Sequence, residues 1–206
     1  MTRMVLVGAG GLGRELADVV QLLGLDLEGV VDDDPSETNL ALLAGRGLRY
    51  LGTVDSWLVG SPPGGFVIGV ANPLHRRTLD ARMVAGGMTP VSIVHPQSTI
   101  GSGVHLGDGT VVCAGARLTT NIRTGRHAHV HVNATIGHDT TLGDFSSAYP
   151  QSAVSGSCTI ASGATVGASA TVIQGLTVGE DSFVGAGAVV TTDVPARTTV
   201  KGVPAR

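Results

Sequence analysis

The 206-residue sequence is poor in several residue types, and each shortage argues against a class of protein. Phe, Tyr and Trp together make up only 3% of the chain, which suits a thin scaffold lined by Val, Ile and Ala. The formal charge at pH 7 is −3, so no basic surface for nucleic acid is indicated and no nucleic-acid partner is expected. The only cysteines, Cys113 and Cys158, do not resemble a disulfide framework.

Long apolar runs are missing as well. The first apolar stretch, Met4 to Val7, is too short to span a bilayer, and no signal peptide precedes it. We therefore expect no membrane insertion and a cytoplasmic location.

The chain is rich instead in a six-residue repeat. Fourteen of the sixteen positions in this register are Leu, Ile or Val, and the exceptions are Thr124 and Ala148. The residue two places earlier is usually small, and the residue that follows is often Gly. A helix needs a period of 3.6 and an amphipathic strand a period of two, so neither fits. The register is Ile100, Leu106, Val112, Leu118, Thr124, Val130, Ile136, Leu142, Ala148, Val154, Ile160, Val166, Val172, Val178, Val184 and Val190.

A hexapeptide period is typical of a parallel β-helix. Each hexad forms one short strand and a corner, so three hexads make a triangular coil of eighteen residues. The aliphatic residue points into the prism, glycine eases the turns, and stacked coils bury the faces that one coil cannot. The predicted fold is a left-handed parallel β-helix of hexapeptide repeats over residues 93–194, with a C-terminal tail at 195–206.

The first 92 residues have a different pattern, in which strand-like apolar runs alternate with helix-like segments. Alternation of this kind is typical of a small parallel α/β domain. The runs lie at 4–7, 29–33, 66–70 and 89–94, and the helix-like segments at 12–23, 40–44 and 74–86. We therefore predict a Rossmann-like domain at residues 1–92 that binds a nucleotide or a nucleotide sugar.

A glycine-rich turn follows the first of these runs. Gly8, Gly10 and Gly13 fit the pattern G-x-G-x-x-G, and Asp32 lies nineteen residues after Gly13. This spacing is typical of a dinucleotide site, in which the acid binds a ribose hydroxyl. The domain has room for only one nucleotide-binding half, and the pyrophosphate of a nucleotide sugar would use the same helix N-terminus. A tight turn without a ligand is the structural alternative.

His138 is the residue that we expect to carry the chemistry. It lies two places after the inward Ile136, so its side chain points outward from a rigid corner, and Asp139 follows it. A neighbouring carboxylate favours the protonated imidazole and makes a histidine a stronger base. In an eighteen-residue coil Gly156 lies directly above His138, about 4.8 Å along the prism axis. A residue without a side chain there would admit a substrate beside the imidazole.

Three further histidines alternate around the inward Val130. They are His127, His129 and His131, and the side chains of His129 and His131 are predicted to point away from the core. The run could bind a metal, but no further Cys or carboxylate completes a site, so we expect none. We interpret it as a polar outer strand near a subunit interface.

Together these features resemble the hexapeptide-repeat sugar O/N-acyltransferases, typified by the sialic acid O-acetyltransferases and the bacterial UDP-4-amino-sugar N-acetyltransferases. The resemblance covers nearly the whole chain. It is carried by the N-terminal glycine-rich turn and by four segments, 133–139 with the His138-Asp139 pair, 142–145, 184–190 and 202–205.

The resemblance implies a homotrimer with active sites between neighbouring prisms, acetyl-CoA as co-substrate, and a sugar or nucleotide sugar as acceptor. It implies that His138 is the general base and that Asp139 raises its basicity. Ser147 departs from the N-acetyltransferases, which have a histidine there that contacts acetyl-CoA. The implied sugar-nucleotide site is Gly10, Gly11, Leu12, Asp32, Asp33, Ala71 and Asn72, and the implied acetyl-CoA contacts are Ser147, Gly156, Ala168 and Ala186.

The predicted reaction is transfer of an acetyl group to an amine or hydroxyl of a nucleotide-linked sugar, with His138 removing the acceptor proton. Three alternatives stay open. The acceptor could be a free sugar such as sialic acid, or another small hydroxyl compound. The glycine-rich domain could sense a dinucleotide or serve an oxidoreductase. The chain could also be a non-catalytic, dinucleotide-binding trimeric scaffold.

Overall fold

The structure is a computed structural model that describes residues 3–206. It divides the chain into two compact units, the first ending at Ile93 and the second running from Val94 to Arg206. Residues 1 and 2 of the expected 1–92 domain lie outside the described residues. Across residues 3–206, no helix combines the length and the apolar character that a membrane crossing requires.

The first unit is a four-stranded parallel sheet with helices, as the sequence predicted. The strands lie in the order β2-β1-β3-β4. All four residues of β1 and of β3 are buried, which is typical of parallel strands covered on both faces. The elements are β1 (Met4–Val7), α1 (Gly11–Leu22), β2 (Leu27–Val31), α2 (Glu37–Ala44), α3 (Val54–Leu58), β3 (Gly65–Ile68), α4 (Pro73–Ala85) and β4 (Thr89–Pro90).

Two details of this unit differ from the prediction. The short helix α3 was not foreseen; Thr53 caps it by accepting a hydrogen bond from the N–H of Ser56. The expected strand at 89–94 is two strands, because Thr89–Pro90 joins the first sheet while β5 (Ile93–Val94) begins the β-helix.

Two glycines of the first unit are required by close packing between α1 and the sheet. A Cβ added to Gly13 would lie 1.9 Å from the carbonyl oxygen of Gly8, and one added to Gly69 would lie 2.5 Å from Cα of Gly13. No side chain fits at such distances, so part of the glycine-rich pattern serves the fold itself.

The second unit is a parallel β-helix whose three sheets form the faces of a prism, which confirms the predicted fold class. Face A has seven strands, face B six and face C four. Face A consists of β5, β7 (Val111–Val112), β10 (His129–Val130), β13 (Ser147–Ala148), β16 (Thr165–Val166), β19 (Phe183–Val184) and β21 (Thr199–Val200). Face B consists of β6 (Thr99–Ile100), β8 (Arg117–Leu118), β11 (Thr135–Ile136), β14 (Ala153–Val154), β17 (Thr171–Val172) and β20 (Val189–Val190). Face C consists of β9 (Arg123–Thr124), β12 (Thr141–Leu142), β15 (Thr159–Ile160) and β18 (Thr177–Val178).

The coil length is eighteen residues through most of the β-helix. Ile136 pairs with Val154, and Leu142 with Ile160. The last coil is shorter, because Val178 bridges Val194 and Val184 pairs with Val200 at a separation of sixteen residues. The segment expected to form a tail at 195–206 therefore contributes a strand to face A.

The inward column forms the core of the β-helix. Its members from Val112 to Val190 are all buried, whereas Ile100 in the first coil is 39% exposed because few coils cover it. The irregular member Thr124 is also buried. Its hydroxyl lies 2.9 Å from the hydroxyl of Thr110 and accepts the N–H of Gly107 at 3.0 Å, which satisfies a polar group inside the prism.

The glycine that follows each inward residue was expected to ease the turns, and the structure shows a different role for it. The left-handed backbone conformation lies three places after the inward residue, at every sixth position from Gly103 to Gly187. Six of those fifteen residues are glycine. The glycines one place after the inward residue are needed for contact between coils instead. At Gly101, for example, a Cβ would lie 1.8 Å from the carbonyl oxygen of Thr119.

Candidate active site

His138 and Asp139 form a hydrogen-bonded pair at the corner that joins faces B and C. The Nδ1 atom of His138 lies 2.7 Å from Oδ2 of Asp139, and both side chains are about half exposed, at 51% and 52%. An ionised carboxylate can only accept hydrogen bonds, so Nδ1 carries the proton of the neutral ring. The lone pair of the neutral imidazole is therefore on Nε2, which is the atom able to accept a proton.

Asp139 is held in its charged form. Its hydrogen bond with His138 lowers the pKa of the carboxyl group, and a second hydrogen bond from Nδ2 of Asn121, at 3.2 Å, lowers it further. Asp139 is therefore ionised at neutral pH, as the orientation of the His138 ring requires.

Gly156 lies against the other side of the imidazole, as the eighteen-residue coil predicted. A Cβ on Gly156 would lie 2.5 Å from both Cε1 and Nε2 of His138. The coils are also joined here, since the N–H of Ser157 donates to the carbonyl oxygen of His138 at 2.7 Å. A side chain at position 156 would displace the ring, so glycine at this position leaves the room that the His138 imidazole occupies.

The residues expected to contact acetyl-CoA do not all lie at this corner. Ala168 is half-buried and Ala186 exposed, and the N–H of Gly187 donates to the carbonyl oxygen of Ala168 at 2.8 Å. They stack at the corner between faces A and B, six residues along the coil from the column of His138. Six extended residues span at most about 20 Å. Ser147 lies on face A with only 1% exposure, so its side chain is at neither corner.

The histidine run is buried, and the expectation of a polar outer strand was wrong. His127 and His129 are 0% exposed and His131 is 7% exposed. Rings of the next coil cover two of them: His127 stacks on Phe145 with ring centroids 5.7 Å apart, and His131 meets Tyr149 at 5.0 Å. Within residues 3–206, no group of three or more His, Cys, Asp or Glu side chains is arranged to hold a metal ion.

The first unit contains a cavity of about 460 Å³. It lies at the carboxyl ends of the parallel strands, where α/β sheets commonly bind ligands. The residues that line it are Val7, Gly8, Asp32, Asp33, Asp34, Val70, His75, Thr78, Leu79 and Arg82. The structure thus brings Asp32 and Asp33 together at one site.

Asp32 holds the glycine-rich turn. Its Oδ2 accepts the N–H of Ala9 at 2.7 Å, and its Oδ1 accepts the N–H of Asp34 at 2.9 Å. Both oxygens of the carboxylate that was expected to bind ribose are therefore engaged by backbone donors.

Asp33 is engaged as well. Arg82 forms an ion pair with it, and its Oδ1 accepts the N–H of Val54 at 2.9 Å, at the start of α3. The hydrogen bond from Arg82 holds the pKa of Asp33 below its usual value. Asp33 thus connects the end of β2 to α3 and α4, a structural role that the sequence did not indicate.

The other predicted residues of the first unit lie outside the cavity lining. Gly10 caps α1, and the backbone of Gly11 and Leu12 forms the first turn of that helix. Open space surrounds Gly10, where an added Cβ would meet no atom within 4 Å. Asn72 caps α4 through its Oδ1, which accepts the N–H groups of Leu74 and His75, and the carbonyl oxygen of Ala71 accepts a hydrogen bond from Arg76.

Sequence reasoning missed the cavity residues of α4. His75, Thr78, Leu79 and Arg82 are spaced by three and four residues, which places them on one face of a helix. That helical spacing was the available signal.

Known proteins match this chain in sequence and in fold. A family model described as the hexapeptide repeat of succinyl-transferase matches residues 97–120 and 158–192. A GDP-perosamine N-acetyltransferase of Escherichia coli is 30% identical over 205 residues, which cover 96% of this chain and 81% of that protein.

Solved structures match over the full length of the chain. One is a histidine-to-asparagine variant of perosamine N-acetyltransferase from Caulobacter crescentus in complex with CoA and GDP-perosamine. It has a TM-score of 0.90 and 27% identity, with 100% of this chain and 96% of that chain covered. Another is the acetyltransferase domain of PglB from Neisseria gonorrhoeae in complex with acetyl coenzyme A. It has a TM-score of 0.86 and 27% identity, with 100% and 98% covered. On these matches and its hexapeptide coils, the chain belongs to the hexapeptide-repeat sugar acetyltransferase family.

Proposed function

We propose that this chain transfers the acetyl group of acetyl-CoA to the amine of a nucleotide-linked amino sugar, with His138 as the general base. The observation that carries the proposal is the half-exposed His138 ring, whose Nδ1 is held by Asp139 and beside whose Nε2 the residue Gly156 carries no side chain. A base of this kind must accept a proton at an atom that a substrate can reach.

In the proposed reaction the acceptor nitrogen attacks the thioester carbonyl of acetyl-CoA while Nε2 of His138 removes a proton from it. The tetrahedral oxyanion is stabilised by a backbone N–H group, for which Gly156 is the proposed donor. The C–S bond then breaks, and the departing thiolate of CoA takes the proton from the imidazolium. The transfer is direct, because both cysteines are buried, with Cys113 4% and Cys158 1% exposed.

The cavity of the first unit is the proposed nucleotide site. Its position at the carboxyl ends of the strands supports this assignment, as does the open space at Gly10 beside the first N–H groups of α1. Asp32 receives the N–H groups of Ala9 and Asp34 and so holds the glycine-rich turn beside this cavity. His75 and Thr78 are the proposed side-chain contacts.

A homotrimer is part of the proposal. The His138 corner and the corner with Ala168 and Ala186 lie one prism face apart on the same chain. In this trimer a neighbouring prism places its Ala168 corner opposite His138, so that one acetyl-CoA molecule contacts two chains. Closed cyclic symmetry would give every protomer the same interface.

An amine is the proposed acceptor because two of the three compared proteins are named as perosamine N-acetyltransferases. The test is a thiol-release assay with acetyl-CoA and a panel of acceptors: GDP-perosamine first, then other nucleotide 4-amino sugars, their hydroxyl counterparts and free sialic acid. Turnover with nucleotide amino sugars alone is the expected result. Turnover with hydroxyl acceptors alone would overturn the choice of amine, and no acceptor-dependent release with any compound would overturn the enzymatic proposal.

The assembly is tested separately. Light scattering during size-exclusion chromatography should give three times the 20.7 kDa mass of the chain. A monomer with full activity would contradict a site shared between copies.

A further inference from the structure

The His138–Asp139 pair receives a further hydrogen bond from the preceding coil. Asn121 lies eighteen residues before Asp139, so the two occupy the same position in successive coils. Its Nδ2 donates to Oδ1 of Asp139 at 3.2 Å, while Oδ2 of the same carboxylate faces His138 at 2.7 Å. Each carboxylate oxygen therefore has one partner, and these two contacts fix the rotation of the group.

Asn121 has a backbone conformation in which asparagine and aspartate are enriched. Asn121 and Asp139 both have the left-handed conformation, with φ of 54° and 59°. The N–H of Asn121 donates to the carbonyl oxygen of Ser102 and that of Asp139 to Thr120, both at 3.0 Å, so the two corners are locked in register. Asn is tolerated at such positions better than other residues that carry a side chain.

Two glycines bracket the resulting stack. A Cβ on Gly103 would lie 2.5 Å from Oδ1 of Asn121, just as one on Gly156 would lie 2.5 Å from the ring of His138. Four successive coils thus contribute Gly103, Asn121, the His138–Asp139 pair and Gly156. The absence of a side chain at Gly103 leaves room for the Asn121 amide, and its absence at Gly156 leaves room for the imidazole.

We propose that Asn121 is a positioning residue of the acetyltransferase site, which orients the Asp139 carboxylate and through it the Nδ1-protonated form of His138. The proposal rests on the function proposed above for His138 and adds a third member to the pair. Asn121 itself touches neither substrate. The titratable side chain that hydrogen-bonds Asp139 is His138.

Asn133 supplies a matched control. It is also an exposed asparagine in the left-handed conformation, with φ of 57°, and it lies over a glycine of the coil below, since a Cβ on Gly115 would meet its Oδ1 at 2.0 Å. Its column belongs to the corner between faces A and B. Asn133→Gly therefore removes the same side chain from the same backbone conformation without touching Asp139.

The test compares Asn121→Gly, Asn121→Asp and Asn133→Gly as full-length proteins. We expect Asn121→Gly to lower kcat by about three- to tenfold, the factor given by the loss of one ordinary hydrogen bond, with little change in KM. Asn121→Asp should lower kcat more, because it replaces the donor by a second carboxylate that repels Asp139. Asn133→Gly is the control for melting temperature and for the Asp139 titration, because the proposed trimer places its corner beside the acetyl-CoA site of a neighbouring chain. Wild-type kcat in Asn121→Gly, or an aspartate variant as active as the wild type, would overturn the proposal.

A second measurement does not depend on activity. Carbon-13 NMR of protein labelled at the aspartate carboxyl, with the Asp139 signal assigned by its loss in Asp139→Asn, follows the titration of that group. Loss of the Asn121 hydrogen bond should move the pKa of Asp139 upward toward its usual value, and Asn133→Gly should leave it in place. An unmoved titration in Asn121→Gly would refute the role of Asn121 even if His138→Ala abolishes transfer. Full activity of His138→Ala would refute the proposed function instead.

Discussion

Replacing Gly156 by alanine is the most specific perturbation that the structure offers. The new Cβ would lie 2.5 Å from Cε1 and Nε2 of His138, whereas an ordinary contact needs about 3.5 Å. The ring must therefore move by about 1 Å. Because the His138 side chain is 51% exposed, it can swing toward solvent, and the β-helix itself need not deform.

The expected result is a loss of activity without a loss of stability. A displacement of about 1 Å at a reacting group costs on the order of 10²-fold in rate, so Gly156→Ala should lower kcat by roughly that factor. The melting temperature should stay within about 2 °C of the wild type. Thiol release from acetyl-CoA gives kcat, and circular dichroism follows unfolding.

Gly45→Ala is the control for this substitution. Gly45 ends α2 with an ordinary φ of −61°, and its Cβ would come no closer than 3.4 Å to another residue. Normal kcat in Gly156→Ala would refute the argument that the glycine keeps His138 in place. A large fall in melting temperature would show that the added methyl group strains the coil rather than the ring.

Three further predictions test the core, the first unit and the nucleotide site. Ile136→Ala should lower the free energy of unfolding in urea by about 2–5 kcal/mol, because Ile136 is fully buried in the inward column; a change under 1 kcal/mol would contradict its place there. Since Arg82 lowers the pKa of folded Asp33, that carboxylate stabilises the fold above about pH 4 and stops doing so as pH falls through the folded pKa. Asp33→Asn should therefore lower the melting temperature at pH 7 and flatten its acid dependence; an equally steep acid dependence in the variant would argue against the ion pair. His75→Ala should raise KM for the nucleotide sugar several-fold at constant kcat, and an unchanged KM would exclude His75 from the nucleotide site.

The periodic part of the fold could be predicted residue by residue. The inward column, the small buried residues before it and the placement of Gly156 above His138 all follow from one register with an eighteen-residue coil. Where the coil length changes, the prediction failed. The local sequence pattern does not predict that the last coil has sixteen residues, and this coil length places Thr199–Val200 in face A.

The first unit shows why a motif does not determine a site. The spacing of Gly8, Gly13 and Asp32 fits a dinucleotide pattern, yet Asp32 binds the backbone of the glycine-rich turn. Asn72 caps a helix. Such roles depend on which donors the fold brings within hydrogen-bond distance, and this information is absent from the spacing along the chain.

The histidine run and Asn121 illustrate the same limit at the β-helix. Phase correctly separated His129 from the inward Val130, but it did not predict the rings of the next coil, Phe145 against His127 and Tyr149 against His131. The hydrogen bond from Asn121 to Asp139 follows from the eighteen-residue coil once a corner is known to adopt the left-handed conformation. The register of the sequence repeat therefore does not by itself predict the side-chain contacts between successive coils.

The central claim, that His138 is the general base of an acetyl transfer, is tested most directly by the kcat of His138→Ala. Thiol release is measured with saturating acetyl-CoA and the best nucleotide amino sugar, on a variant shown to keep the assembly state and melting temperature of the wild type. The account predicts a fall of roughly 10²–10⁴-fold, the usual contribution of a general base. Turnover equal to the wild type would contradict it.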